Sequence, residues 1–462
     1  MNKMQAFDVL IVGGGPAGLF AAKELILKAP SAKIALIEKG VNPEGRVCPP
    51  ASKVCNECDI CDVIHGIGGS GLQVDAKLCI DTKAGIKGNI ATEGLCQYLD
   101  HQLIQLCNKS NVVLGLTIPE NPGFLLEKIN DAGLDLTNYP VRSLGTDRAR
   151  VVAETVYREL KQAGVKFFLR HEAIDLEYNG NFSLKCLYDS SSIIESQAPY
   201  VVLAPGRSGS LWISYLASKL GFETVQNPID VGVRIETTEK VLTPLNRLGD
   251  NPKIKLPWHE TYLKTHCYCP GGFVIAYKLL TPGISIKVVD GHKYYSKRSK
   301  NSNINLLVRL YPERIIDPIN YGMSFLRQVN LVGQGRPILQ RFSDFVIGRP
   351  SSEKAIKNNE VEPSLPEFSL ADINMCFPAF VTKGLFEFVT RLNLVCPGIA
   401  SDNTLFYGPA LEWCIRRVRT QDNLETTIPN LFVAGDGAGL SQGVIAAAMT
   451  GIVAARSIAE KI

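Results

Sequence analysis

A glycine run near the N-terminal end constrains this chain more than any other feature. Gly13-Gly14-Gly15-Pro16-Ala17-Gly18 sets glycines in the G-x-G-x-x-G spacing. Residues 6–12 before it are mostly apolar and read as a strand. Residues 17–28 after it carry Leu19, Ala22 and Leu25, and read as a helix stopped by Pro30. Residues 33–37 read as a second strand ending at Glu38. The whole is a βαβ unit, and each glycine has a mechanical task in it. Gly13 lets the chain turn tightly, Gly15 lets backbone approach a pyrophosphate, and Gly18 lets helix and strand pack closely. The helix N-terminus offers unpaired N–H groups and a partial positive charge to phosphates. Glu38 stands 20 residues after Gly18, placed to accept hydrogen bonds from a ribose diol. The motif predicts a bound dinucleotide without saying which one.

A second signal lies at the other end of the chain. Residues 427–436, Thr-Ile-Pro-Asn-Leu-Phe-Val-Ala-Gly-Asp, read as a strand that delivers Gly435-Asp436 to its carboxyl edge. Gly437 to Gly443 then lead into an alanine-rich helix. This pattern resembles the C-terminal FAD motif of the glutathione-reductase-like flavoprotein superfamily. The resemblance implies that Asp436 binds the ribityl chain. It also implies that Gly443, Val444 and Ile445 open a helix whose N-terminus faces the pyrimidine end of the flavin. A helix N-terminus there stabilises the negative charge that builds on a reduced flavin. The stretch Tyr200-Val201-Val202-Leu203-Ala204-Pro205-Gly206 resembles the strand that closes such a domain, with Ala204 and Gly206 beside the cofactor. Residues 165–169 resemble its third parallel strand, followed by Ala173 at the adenine edge. The cofactor expected is therefore FAD.

Three segments are more particular. Arg46-x-Cys48-Pro49, Cys55-x-x-Cys58-x-x-Cys61, Gly66-Ile67-Gly68-Gly69-Ser70-Gly71 and Lys77-Leu78 form the first. Thr265-His266-Cys267-Tyr268-Cys269-Pro270-Gly271-Gly272 is the second, and Leu405-Phe406-Tyr407-Gly408-Pro409-Ala410-Leu411-Glu412-Trp413 the third. Together they resemble a largely uncharacterised family of FAD-dependent dehydrogenases. The resemblance implies cofactor contacts at Lys39, Arg46, Gly69 and Ser70, besides Pro16 and Ala17. That family favours Ser-Asp-Gly-Lys-Leu where this chain has Val74-Asp75-Ala76-Lys77-Leu78, a departure that points to a divergent substrate.

The cysteines leave alternatives open. Cys48, Cys55, Cys58 and Cys61 have spacing seen in zinc and iron–sulfur sites, with His65 near in sequence. The same thiols also suit free or disulfide-forming groups on a loop, or a redox relay to the flavin. Of these, loop thiols without a metal, free or disulfide-forming, are the expectation. If residues around 267 form a strand, Cys267 and Cys269 face one side and could meet a substrate. They are the candidate catalytic residues. Lys77, His266, Tyr407 and Glu412 are further ionisable groups in the family-like segments.

The expected architecture is α/β: a Rossmann-type FAD-binding domain with a β-rich substrate domain. Residues 1–227 form the first part of the FAD domain, with a Cys-rich loop at 41–75 and a β-meander at 174–199. Residues 228–390 form the β-rich domain, and 391–462 return to the FAD domain. Helices are expected near 91–107 and 147–163, and a polar linker at 350–367. A hairpin is expected around Asn179-Gly180-Asn181. With 45% hydrophobic and 20% charged residues and a net charge of +4, the chain reads as a globular protein without a nucleic-acid footprint. No signal peptide or membrane span is apparent, so the cytoplasm is expected. No second glycine motif offers a dedicated nicotinamide site, and NAD(P)H would bind transiently. The oxidoreductase would move a hydride between flavin N5 and a small organic substrate. A flavin monooxygenase and a non-catalytic flavin and thiol redox sensor are the alternatives.

Overall fold

The computed structural model describes residues 5–462 apart from 49–52, 75, 83, 87–89, 91, 190, 282–283, 312, 314–316 and 414–415. Pro49 and Asp75 of the family-like segments thus lie outside the described residues.

Among the described residues, five strands form a parallel sheet in the order Leu431–Val433, Tyr200–Leu203, Val9–Val12, Ile34–Glu38 and Lys166–Leu169. The central strand Val9–Val12 is apolar and buried at every position, and Ile34–Glu38 is buried throughout and apolar at all but its terminal Glu38, because both faces are covered. The stretch read as one strand at 6–12 divides in two. Gln5–Ala6 pairs with Ser192–Ala198 of a separate four-stranded sheet, and only Val9–Val12 enters the parallel one. Asp8 marks the break, its Oδ2 accepting from the Lys33 amide across 2.7 Å. The hairpin forms as expected, with Tyr178 opposite Phe182.

Helices Pro16–Lys28 and Val444–Ala459 pack against each other on this sheet. Glycine makes the approach possible: a Cβ on Gly451 would lie 2.0 Å from the Ala17 carbonyl oxygen. Both helices therefore start at the carboxyl edge of the sheet, where the strands Val9–Val12 and Leu431–Val433 end. The architecture is the Rossmann-type α/β fold expected.

A larger, mainly antiparallel sheet stands beside it. Its order among the described residues is Ser369–Leu370, Ile338–Arg341, Leu405–Trp413, Ile229–Thr238, Asn301–Leu310, Thr261–Cys269, Lys253–Trp258 and Asp135–Thr137. Helix Ala379–Val395 buries Leu385, Phe388, Val389 and Leu392 in one apolar cluster with Ile254, Leu263 and Leu306 of this sheet. The sequence boundary at 391 does not match the pairing. Strand Leu405–Trp413 lies between Ile229–Thr238 and Ile338–Arg341, so the large sheet runs on past 390. Nor are residues 350–367 a solvated linker. Val361 and Leu365 are buried beside Tyr407, and the Ser364 amide donates to Glu236 Oε2 across 3.1 Å. No described helix is long and apolar enough to cross a membrane.

Candidate functional site

One cavity of about 1100 Å³ runs from the carboxyl edge of the parallel sheet to the near face of the large sheet. Gly13, Gly15, Pro16, Ala17, Glu38, Lys39, Gly69, Ser70, Ala173, Ala204, Gly206, Asp436, Gly443 and Val444 all line it. Three expected contacts do not: Gly18, Arg46 and Ile445 are placed behind the wall.

The glycines divide by task. Gly13 has φ +107°, and a Cβ there would meet the Ala204 oxygen at 2.1 Å. A Cβ on Gly18 would lie 1.9 Å from the Gly13 oxygen. Both are demanded by the fold itself. Gly15 differs: its φ of −77° suits any residue, and the nearest atom to an added Cβ is 3.9 Å away. The empty side of Gly15 is the cavity. The helix that follows has no side-chain cap and no acid in its first turn, so its amide groups are left to a ligand. The helix beginning at Val444 is likewise uncapped by a side chain, and its N-terminus opens on the same cavity.

Glu38 is buried with its carboxylate gathered by backbone. Oε2 accepts from the Gly14 amide at 2.7 Å, and Oε1 from Gly40 and Gly66 at 2.8 Å each. Three of about four acceptor positions are filled, which leaves one for a diol. Beside it, Lys39 pairs with Glu172 at 2.7 Å. Arg46 acts within its own loop. Its guanidinium donates to the carbonyls of Asp62, Ile67, Gly69 and Val63 at 2.9 to 3.1 Å. Burial lowers its pKa to about 10, with Glu38 and Asp62 opposing. The sequence could not show this, because the carbonyls carry no side-chain signature.

At the C-terminal motif, Asp436 is fixed from three sides. Ser441 Oγ donates to Oδ1 at 2.7 Å, while Arg207 Nε and the Gly443 amide approach Oδ2 at 3.2 and 3.4 Å. Arg207 then reaches Glu412, its Nη1 2.6 Å from Oε2 as an ion pair rather than an aligned hydrogen bond. Glu412 Oε1 stands 3.5 Å from His266 Nε2, and His266 Nδ1 stands 2.9 Å from Lys253 Nζ. A polar chain thus crosses from one sheet to the other: Asp436, Arg207, Glu412, His266, Lys253. Burial raises the Glu412 carboxyl and lowers the His266 imidazole well below its usual range, Lys253 adding to the second effect. His266 is accordingly neutral. With Lys253 charged, Nδ1 is the acceptor and Nε2 carries the proton toward Glu412.

Cys267 and Cys269 do not share a wall. The pairing with Asn301–Leu310 slips between His266 and Cys269, and Cys267 sits at φ +51° in the bulge. That reversal turns Cys267 to the cavity and leaves Cys269 fully buried, its Sγ 3.2 Å from Arg234 Nη2. Burial, then Asp290, pushes the Cys267 thiol up to about 12. Tyr407 does not line the cavity; it is buried and donates to Glu236 at 2.6 Å.

Cys48, Cys55, Cys58 and Cys61 gather round a separate cavity of about 20 Å³, which shares Val63 with the large one. Burial and the neighbouring thiols push Cys48 up to about 12, and burial raises Cys58 and Cys61. Among the described residues, no group of three or more His, Cys, Asp or Glu side chains is arranged to hold a metal ion. The twelve described cysteines are free.

Sequence reading missed Arg207, Lys253, Lys255 and Lys264. A faint signal existed. Lys253 and Lys255 alternate with buried Ile254 and Leu256, and Lys264 and His266 flank a residue of the opposite face, so the polar face of two strands is written with period two.

Residues 228–411 match the family described as "FAD-dependent protein, C-terminal domain-like". An uncharacterized protein of Clostridium beijerinckii (strain ATCC 51743 / NCIMB 8052) is 25% identical over 480 residues, covering 98% of this chain and 80% of that one. Among solved structures, glycine oxidase from Geobacillus kaustophilus is similar with a TM-score of 0.43 and 11% identity, over 99% of this chain and 95% of that one. A geranylgeranyl bacteriochlorophyll reductase-like protein from Thermoplasma acidophilum gives 0.42 and 13%, over 99% and 79%. The matched stretch contains Lys253, Lys264, His266 and Cys267, and stops one residue short of Glu412. The family match and the glycine, Glu38 and helix-terminus set agree on FAD as the cofactor.

Proposed function

We propose that the protein is an FAD-dependent oxidoreductase that moves a hydride between flavin N5 and a small organic substrate. The observation that carries this reading is the continuity of the cavity. One space joins a dinucleotide cradle at Gly13–Glu38 to a polar wall at Lys253–Cys267. When bound, FAD supplies the two-electron chemistry that none of these side chains has.

The chain's own residues bind and orient. Gly15 leaves room for phosphate, and the two uncapped helix ends face it. Glu38 has an acceptor position left for a ribose. Arg207 and Ser441 hold Asp436 in one orientation, so its carboxylate is preset. Tyr277 and Leu279 of a two-stranded hairpin close the cavity beside Val63 and Ile64 and keep water from that side.

The test is reconstitution. The purified protein is loaded with FAD, the FAD-to-chain ratio is measured, and flavin bleaching is followed without oxygen against a panel of small organic acids, alcohols and amines. Stoichiometric FAD and bleaching by one class, with a two-electron-oxidised product, support the reading. Failure to retain FAD sinks it. Incorporation of labelled dioxygen into product moves the protein to the monooxygenases.

A further inference from the structure

We propose that the substrate carries a carboxylate, and that Lys253 and Lys255, with Lys264 behind them, form its binding wall. This rests on the oxidoreductase reading and names the substrate class for the same cavity. The placement of the lysines carries it. Lys253 and Lys255 lie two apart on strand Lys253–Trp258 and so project from one face. Lys264 is the direct cross-strand partner of Lys255. All three line the cavity, with Tyr262 and His266 on the same face of the neighbouring strand. Like charges directly opposite each other in a sheet oppose pairing. A fold has no structural reason to set three ammonium groups on one patch facing an internal space.

Neutralisation of the patch is partial. Lys264 has a carboxylate, Asp230, at 2.6 Å, and that same carboxylate is held bidentately by Arg309 at 2.7 and 2.9 Å. Lys253 has none. Its partners are Asn251 Oδ1 at 3.1 Å and His266 Nδ1 at 2.9 Å, both neutral. Two of its three N–H groups are used there, which leaves one for a ligand. Lys255 has the face of Tyr262, 5.4 Å from the ring centroid, and on its other side stands opposite the exposed Asp135 of strand Asp135–Thr137. Among the described residues neither Lys253 nor Lys255 makes an ion pair, and Lys253, opposite Thr137, is the one with no acid beside it on either neighbouring strand. The groups facing Lys253 from the packed elements are Lys264, His266 and Cys267 on the next strand, and Lys77, Cys79 and Tyr139 across the cavity. The two carboxylates that share the cavity, Glu412 beyond His266 and Asp290 beside Cys267, are paired with Arg207 and Arg234 instead.

A carboxylate fits this wall better than a phosphate. The uncompensated charge is the Lys253 ammonium, with Lys255 shared with Asp135 at its other side, and the nearby Glu412, though paired with Arg207, disfavours a dianion. An apolar body is accommodated beyond it, by Tyr277, Leu279 and Leu411. Burial lowers the Lys253 ammonium to about 8, with Lys264 and Lys77 adding and Cys267 opposing. The wall therefore loses charge as pH rises past about 8, and anion binding fades with it.

The experiment uses FAD-loaded protein and three probes: benzoate, its neutral isostere benzamide, and inorganic phosphate. Binding is read from the change in the flavin absorption spectrum and by calorimetry. Benzoate is expected to bind, benzamide to bind roughly tenfold or more weakly, and phosphate more weakly than benzoate. Benzoate affinity is expected to fall above about pH 8. Lys253→Met and Lys255→Met should each weaken benzoate roughly tenfold while the FAD-to-chain ratio stays unchanged. Equal binding of benzoate and benzamide overturns the proposal, as does tighter binding of phosphate. Loss of FAD from Lys253→Met assigns the wall to the cofactor and overturns it too. A wild-type chain that takes up no FAD defeats the underlying reading instead, and that result is seen before any probe is added.

Discussion

The carboxylate of Glu38 accepts a hydrogen bond from the amide of Gly66 across 2.8 Å, linking the end of a parallel strand to a loop 28 residues away. The same oxygen holds Gly40, and its twin holds Gly14. The acid proposed to meet the ribose is thus also the clasp that shapes the glycine loop beside the cavity. Glu38→Gln turns one acceptor into a donor facing an N–H group. The expected cost is about 1–3 kcal/mol in urea unfolding, with FAD affinity weakened about tenfold or more. Recovery of free FAD fluorescence on dilution measures the second effect.

Gly15→Ala and Gly18→Ala should separate ligand from fold. The added methyl at 15 meets only open cavity, so the chain should fold with a loss of at most about 1 kcal/mol from the weaker helix cap. It should elute without flavin. The methyl at 18 strikes the Gly13 oxygen at 1.9 Å, so that variant should be lost from the soluble fraction. Normal flavin content in the Gly15 variant would contradict the cradle.

Asp230 neutralises two cations in the interior of the large sheet. Asp230→Asn leaves Lys264 and Arg309 facing each other, and the expected destabilisation is about 3–5 kcal/mol. Lys264 and Arg309 outweigh the burial of Asp230 and hold it down to about 2. Its folded value lies below its unfolded one. The stability it contributes is therefore present above about pH 4 and lost as pH falls toward about 2. Acid unfolding of the wild type should show this loss, and the variant should lack it.

Cys267 faces the cavity yet should be a slow nucleophile. With its thiol pushed up to about 12, almost none is thiolate at neutral pH. Its alkylation by iodoacetamide, followed by peptide mass spectrometry, should accelerate with pH without levelling below about 10. Rapid labelling at pH 7 would revive a catalytic thiol. Cys267→Ser should leave flavin bleaching within about twofold if the thiol is a bystander.

Legibility followed the reach of local rules. Gly13, Gly15 and Gly18, Glu38, and the pair Gly435-Asp436 could be read because their spacing along a strand, a turn and a helix is itself the signal, although their contacts reach as far as Gly66, Ala204 and Arg207. The hairpin at Asn179–Asn181 was readable for the same reason. Lys253 and Lys255 were not, since their meaning comes from a neighbour strand that sets Lys264 opposite Lys255. Arg207 was hidden more deeply, as its two partners come from positions 412 and 436. The bulge at Cys267 reversed the expectation for two cysteines, because a single positive φ changes which side a residue faces. The supposed linker at 350–367 was misjudged on polarity, although two of its few apolar residues are buried.

Strand Leu405–Trp413 sits inside the large sheet, and Leu431–Val433 completes the parallel one. Residues 405–433 thus supply a strand to each. On the ribosome, neither sheet can close its hydrogen-bond ladder until these residues emerge, however early its other strands do. A chain interrupted near residue 400 would expose two open edges at once. Loss of residues 405–433 should therefore send both sheets to aggregation, rather than leave one folded and the other missing.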